Sequence, residues 1–330
     1  MTPLLEVRKA SKIYGGGLFK RHDKTIAIDN LSYSIPDENP SITAIAGESG
    51  SGKTTLGTAI VRLLRPPARI TSGRIVLDGH EFLQAGEREL RQLRMREVAL
   101  IPQAAMNSLN PVMRIGDQIA DGIIAHAQSA KIPRRDVAER VARALWQVGL
   151  QSYLASRYPH QLSGGQRQRV AVARAMILEP EFIVADEPVS MLDASVRISI
   201  LRLLGQLQEK FGITFLYITH DLATARHFSQ RVGIMYAGKI AEMGPVSEVL
   251  GEPLHPYTQA LIEAIPDPDP ENRHRDRPAL QGEPPLLTVP PPGCRFHPRC
   301  PIAKAGLCDV EEPPLRELRP NHLVACHLAS

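Results

Sequence analysis

Residues 47–55 read GESGSGKTT, with Gly47, Gly52, Lys53 and Thr54 in the fixed places of the pattern G-x-x-x-x-G-K-[ST]. These types at this spacing suit one task, the holding of phosphate. Gly47, Gly50 and Gly52 let the backbone curl, so that N–H groups along Glu48, Ser49 and Ser51 turn toward phosphate oxygens. A helix starting near Gly52 would add its partial positive end. Lys53 offers a point charge for the outer phosphates, and the hydroxyl of Thr54, with Thr55 beside it, can ligate Mg²⁺. A second run, FIVADE at 182–187, supplies what such a loop lacks. Asp186 at the end of a buried strand can reach the Mg²⁺ sphere, and Glu187 can polarise an attacking water as general base. Together the two runs describe an ATP site.

The elements that must position them are legible too. Ser41–Ala46 (SITAIA) is a short apolar, β-branched run stopping at Gly47, and KTTLGTAIVRLLR after the turn has helical spacing. Strand, glycine turn and helix begin a βαβ unit. Two more buried strands are expected, Phe182–Ala185 ending at the carboxylate pair and Ile213–Thr219 ending at His220. Such strands alternating with helices imply an α/β fold around a mostly parallel sheet.

From about 86 to 165 the texture turns charged and amphipathic (GERELRQLRMREV, RRDVAERVARALWQVGL), which reads as a helical subdomain inserted into that core. The expected division is therefore 1–265 for the nucleotide-binding domain and 266–330 for a loop-rich extension. Half of the 28 prolines fall in those last 65 residues, which argues against long helices or central strands there.

Bulk composition excludes several classes. The 330 residues are 43% hydrophobic and 22% charged, ordinary for a globular chain, and the net charge of +4 with no dense basic tract does not suit a nucleic-acid binder. RKASK near the start reads as a solvated strand edge. The N-terminus lacks a signal peptide's apolar core, and no run approaches the ~18 apolar residues that span a bilayer. A soluble, cytoplasmic chain is expected, with any membrane role exercised through partners.

Many folds carry a phosphate loop, so function needs a further signal. It comes at LSGGQRQRVAVARAMILEP, 162–180. Leu162, Ser163, Gly164, Gly165 and Gln166 stand at the head of a helical run, a second place where free backbone N–H groups can meet phosphate. Two chains arranged head to tail could each close the other's ATP site in this way.

All four cysteines lie in the extension: Cys294, Cys300, Cys308 and Cys326, separated by five, seven and seventeen residues. A cytosolic chain keeps thiols reduced, so ligation of a metal that also folds the tail is the expectation. Zinc accepts four thiolates but usually between paired C-x₂₋₄-C knuckles, which are missing; an iron–sulfur cluster also takes four and suits looser spacing. His297, His322 and His327 could substitute at a zinc site, so composition alone leaves both open.

With these motifs in order, the chain resembles the ATP-binding subunits of ABC transporters over nearly its whole length. The resemblance implies roles residue by residue: Tyr14 stacking on adenine; Gln103, in LIPQ, joining Thr54 and Asp186 in the Mg²⁺ and water environment; 162–166 as the signature serving the partner domain's ATP; Asp193, in SMLD, in the dimer-interface loop; and His220 as the switch contacting the γ phosphate. Two departures, Met191 where alanine is usual and Ala104 where an acidic residue is usual, remove no ligand. The insertion GGGLFKRHDK after Tyr14 leaves the local geometry open.

HPYTQAL and the cysteine-bearing runs resemble oligopeptide and dipeptide importer ATPases in particular, which implies a [4Fe–4S] cluster on the four cysteines, with zinc as the alternative. It further implies a second nucleotide-binding subunit (a related but different chain), two membrane permeases contacted near 104–119, an extracytoplasmic solute-binding protein, and a place on the cytoplasmic face of the membrane. Relatives import nickel or short oligosaccharides. A soluble, non-transport ABC ATPase is the remote alternative, disfavoured by the single phosphate loop and by the absence of a coiled-coil insertion.

Overall fold

A computed structural model describes residues 3–15, 24–64, 66–103, 105–127, 133–265 and 282–330. Most of the insertion after Tyr14, Ala104 and the first part of the extension lie outside the described residues.

The chain opens with two long strands, β1 (Leu5–Tyr14) and β2 (Thr25–Ile35), whose alternating burial marks a sheet with one covered face. Next come β3 (Ile42–Ala46), buried at every position, α1 (Lys53–Ile60) and β4 (Arg69–Leu77). The middle of the chain carries a two-residue strand β5 (His80–Glu81), α2 (Glu87–Leu93), β6 (Val98–Ile101), α3 (Ile115–His126), α4 (Arg134–Gln147) and α5 (Gly164–Met176). Then follow β7 (Phe182–Asp186), α6 (Ala194–Phe211) and β8 (Thr214–Ile218). The last part holds α7 (Leu222–Phe228), β9 (Arg231–Tyr236), β10 (Lys239–Pro245), α8 (Val246–Val249), α9 (Pro256–Glu263) and two short strands, β11 (Arg316–Arg319) and β12 (His322–Val324).

The chain forms two compact units. One holds Pro36–Ile42 and Leu77–Ile218. In it β6, β7 and β8 pair in parallel, Ile101 against Ala185 and Asp186 against Ile218. β7 and β8 are buried throughout, as strands covered on both faces must be.

The other unit holds Pro3–Ile35, Thr43–Val76 and Thr219–Ser330. Its first sheet runs β2-β1-β4; its second runs β11-β12-β10-β9-β3, parallel between β3 and β9 and antiparallel from β9 outward. Two readings change here. β1 lies between β2 and β4, so RKASK is not on a sheet edge, although Arg8 and Lys9 are solvent-exposed as expected. Lys12 is 2% exposed, its Nζ donating to Thr58 Oγ1 at 2.9 Å and the Thr55 carbonyl at 3.3 Å. The proline-rich tail also contributes strands, because β12 needs only three residues between Pro320 and the cysteine loop to join β10.

No helix among the described residues is long and apolar enough to cross a membrane.

Candidate functional site

In the unit containing the phosphate loop, β3 delivers the chain into a turn whose dihedrals only glycine adopts freely: φ is +149° at Gly47, +80° at Gly50 and +103° at Gly52. A Cβ on Gly47 would overlap the Met235 carbonyl oxygen of β9. Gly52 is the N-cap of α1 and has no side chain to cap with, so the first turn of the helix presents its N–H groups. Lys53, 6% exposed, folds back over the loop, donating to the carbonyls of Gly47 and Glu48 at 2.8 Å each and to Ser51 Oγ at 3.3 Å. Tyr14 ends β1, and its hydroxyl shares a hydrogen bond of 3.3 Å with Thr55 Oγ1; Lys12 Nζ lies 5.4 Å from the ring centroid. Burial with no opposing charge brings the Lys12 ammonium down to about 8. His220 follows β8 after Thr219 and is exposed.

In the other unit the parallel pairing of β6 with β7 brings Gln103 and Glu187 out at one edge. Gln103 Nε2 donates to Glu187 Oε2 at 3.2 Å. Asp186 is 4% exposed at the last position of β7. Glu187 has φ +44°, and its N–H is tied to the Ile218 carbonyl at 3.0 Å. Ser163 is the N-cap of α5: its Oγ accepts from Gln166 N–H at 3.3 Å while Gln166 Oε1 accepts from Ser163 N–H at 3.0 Å, a reciprocal cap. Leu162 is buried just before it, while Gly164 and Gly165 form the first helical turn. A Cβ on Gly165 would press on Val196 of α6 at 3.0 Å. Asp193 caps α6, accepting from Val196 N–H at 3.0 Å and Ser195 Oγ at 2.8 Å. Those bonds hold its carboxyl below the usual range, the backbone one most.

The four cysteines carry free thiols. Cys294 N–H donates to the Cys308 carbonyl at 2.8 Å, and Cys308 Sγ accepts from Lys304 N–H at 3.4 Å. Burial, and after it the other three cysteines, pushes Cys294 up to about 11; burial and then Cys326 and Cys308 raise Cys300. Among the described residues the one group of three His, Cys, Asp or Glu ligand atoms lying within 4.8 Å of one another is Asp78, Glu97 and Glu181, and no three of the sulfurs are so close.

Sequence reasoning missed what surrounds Glu48. Its N–H donates to Tyr257 Oη at 3.0 Å, and Arg299 forks onto its carboxylate. Tyr257 lies in the HPYTQAL run, which offered a signal; Arg299, one residue before Cys300, offered none beyond its place.

Such a glycine turn between a parallel strand and a helix, with carboxylates at a second strand end and a capped glycine pair on a separate helix, describes an ATP-binding cassette. A model of the ABC transporter family matches residues 28–190. Two solved structures share the fold. The dimeric ATP-binding cassette MJ0796, bound to ADP and Pi, has a TM-score of 0.63 and 28% identity over 73% of this chain and 98% of that one. The cbiO1 protein of Clostridium perfringens, part of the ABC transporter complex cbiONQ, has a TM-score of 0.64 and 27% identity over 76% and 92%.

A model of the oligopeptide/dipeptide transporter C-terminal region matches residues 241–308. The oligopeptide transport ATP-binding protein AppF of Bacillus subtilis is 40% identical over 99% of this chain and 98% of its own. The di/tripeptide transport ATP-binding protein DppF of Pseudomonas aeruginosa is 41% identical over 100% and 98%. The chain belongs to the ABC transporter ATP-binding proteins of the oligopeptide and dipeptide type. It is an ATPase.

Proposed function

We propose that this chain is the ATP-hydrolysing subunit of a peptide importer, working at the cytoplasmic face of the membrane through two permeases and a solute-binding protein. The observation that carries the reading is likeness to peptide-transport ATP-binding proteins from end to end, tail included. Thr54, Gln103 and Asp186 hold Mg²⁺, Lys53 and the loop N–H groups hold the phosphates, and Tyr14 stacks on adenine. Glu187 takes the proton of the attacking water, and His220 contacts the γ phosphate. Residues 162–166 and Asp193 face the ATP of a second nucleotide-binding subunit, a related but different chain. Hydrolysis does work because the closed and open pairs make different contacts with the permeases.

Residues 1–265 form the nucleotide-binding domain, with the helical subdomain at about 86–165, and 266–330 the extension. The permease contact falls at 104–119, where Val112 is 79% exposed.

The thiol spacing favours a [4Fe–4S] cluster over zinc. The gaps of five, seven and seventeen residues lack the paired C-x₂₋₄-C knuckles usual for structural zinc and suit a larger cluster. Each candidate histidine engages one ring nitrogen, His322 Nε2 with Glu242 Oε1 at 2.7 Å, His297 Nδ1 with the Cys294 carbonyl and His327 Nε2 with the Glu311 carbonyl, both at 2.9 Å, and the second nitrogen is the one a zinc would use. A cluster bound here would supply four iron–thiolate bonds that hold the tail folded.

ATP-dependent uptake of a labelled tripeptide into vesicles carrying the permeases, with this chain and its partner ATPase inside, tests the transport reading; uptake of nickel or a sugar but not peptide overturns it. Iron and sulfide analysis on anaerobically purified protein tests the cluster. About four of each is expected, and stoichiometric zinc without colour overturns it.

A further inference from the structure

The second residue of the phosphate loop is gripped from the extension. Arg299 Nη1 donates to Glu48 Oε2 at 2.9 Å and Nη2 to Oε1 at 3.2 Å, a two-pronged pair. The arginine side chain is 7% exposed, the carboxylate 25%. Nη1 also reaches Tyr236 Oη at 3.3 Å, with the guanidinium 5.9 Å from that ring. Burial works against the Arg299 charge, but the bonds to Glu48 and Tyr236 outweigh it and hold the proton more firmly than usual. Beneath the pair, the rings of Tyr236, Tyr257 and Phe296 pack with centroids 4.5–5.3 Å apart.

Two further threads reach the same loop. Tyr257 Oη accepts the Glu48 N–H, while Tyr257 N–H donates to His255 Nδ1, and the His255 ring lies with its centroid 5.8 Å from that of Phe296, two residues from Cys294. Arg295, next to Cys294, donates to the Ala237 carbonyl at 2.6 Å, and the following Gly238 N–H donates to the Ser51 carbonyl at 2.9 Å.

A carboxylate at the second position of a phosphate loop is a liability, because it stands near a highly anionic ligand. Arg299 neutralises it with a fork whose geometry also fixes where the carboxylate points. We propose that Arg299 is a positioning residue of the nucleotide site, acting through Glu48 to set ATP affinity, so that the extension is a working part of that site. The inference rests on residues 47–55 being the phosphate loop.

The test is equilibrium binding of a fluorescent trinitrophenyl-ATP, with Mg²⁺, to the full chain. Arg299→Met is expected to weaken binding about tenfold with Glu48 present, and no more than about twofold in a Glu48→Gln background, where no charge needs neutralising. In hydrolysis the KM for ATP should rise while kcat at saturation stays within about twofold. An affinity unchanged in Arg299→Met, or an equal loss in both backgrounds, overturns the proposal. Should Arg299→Met fail to fold, Arg299→Lys carries the same comparison, since it keeps the charge and loses the fork: a smaller loss confined to the Glu48 background is expected, and an equal loss in both overturns. Lys53→Ala separates the two readings. If it too binds like the wild type, the loop itself is misread; if it alone loses binding, only the role of Arg299 fails.

Discussion

Gln103 and Glu187 are hydrogen-bonded at 3.2 Å, Nε2 to Oε2, at one edge of the parallel pair β6 and β7. The bond holds the general-base candidate in place without protonating it, since the amide donates and the carboxylate accepts. Glu187→Gln keeps the shape and removes the basicity. Turnover should fall by about 10²–10⁴, the usual contribution of a general base, while ATP affinity stays within a few-fold. Steady-state hydrolysis alongside nucleotide binding checks both halves. Wild-type turnover in the variant would remove Glu187 from the role.

Gly47 tests the loop from its backbone. With φ +149° and the Met235 carbonyl where a Cβ would sit, Gly47→Ala forces β3 and β9 apart at the point where the loop leaves the sheet. Strain and overpacking together should cost about 3 kcal/mol or more. A melting temperature lowered by several degrees and a loss of ATP binding of at least tenfold are expected. A variant that melts and binds like the wild type would show that the turn tolerates another shape.

The cysteine loops give a third test. Cys308 is 7% exposed and accepts from Lys304 N–H, while its carbonyl ties down Cys294. Gly293, at φ +64°, lies so close to the Cys308 backbone that a Cβ there would clash. Cys308→Ser should therefore lose bound metal and expose the tail to protease. ATP should still bind, weakened about as much as in Arg299→Met, because Arg299 stands one residue from Cys300. Metal analysis, limited proteolysis and nucleotide binding on one preparation distinguish these effects. Full metal content in the variant would contradict the four-cysteine ligand set.

How much of this could be read from sequence follows from the range of the interactions. The strand before Gly47 and the helix after Lys53 are local matters of β-branched runs, glycine dihedrals and helical spacing, and so is Ser163 at the head of α5. Glu48 and Arg299 are 251 positions apart, and no local pattern announces that such residues meet. Lys12 misled for the same reason. A lysine in an alternating strand reads as solvent-facing, but the sheet places β4 on its other side and α1 over its end. The β11–β12 pair was hidden by prolines, which bound strands so short that periodicity has nothing to work on.

Lys12 also sets a pH dependence. Its folded value of about 8 lies below the ordinary 10.5. Under pH 8 the ammonium is charged in both the folded and unfolded states, and the full cost of burying it is present. Between pH 8 and 10.5 the folded protein has released the proton that the unfolded chain still holds, so this residue's contribution to stability rises with pH and levels off above 10.5. At ~1.4 kcal/mol per unit, reduced because the site is partly screened by solvent, the swing is about 2 kcal/mol. Lys12→Met keeps the length of the stem and abolishes the charge. Denaturant unfolding at pH 7.5 and pH 10 should show the variant at least as stable as the wild type at the lower pH, with its advantage shrinking at the higher. An advantage that grows with pH would mean that Thr58 and Thr55 stabilise the charged form more than burial opposes it.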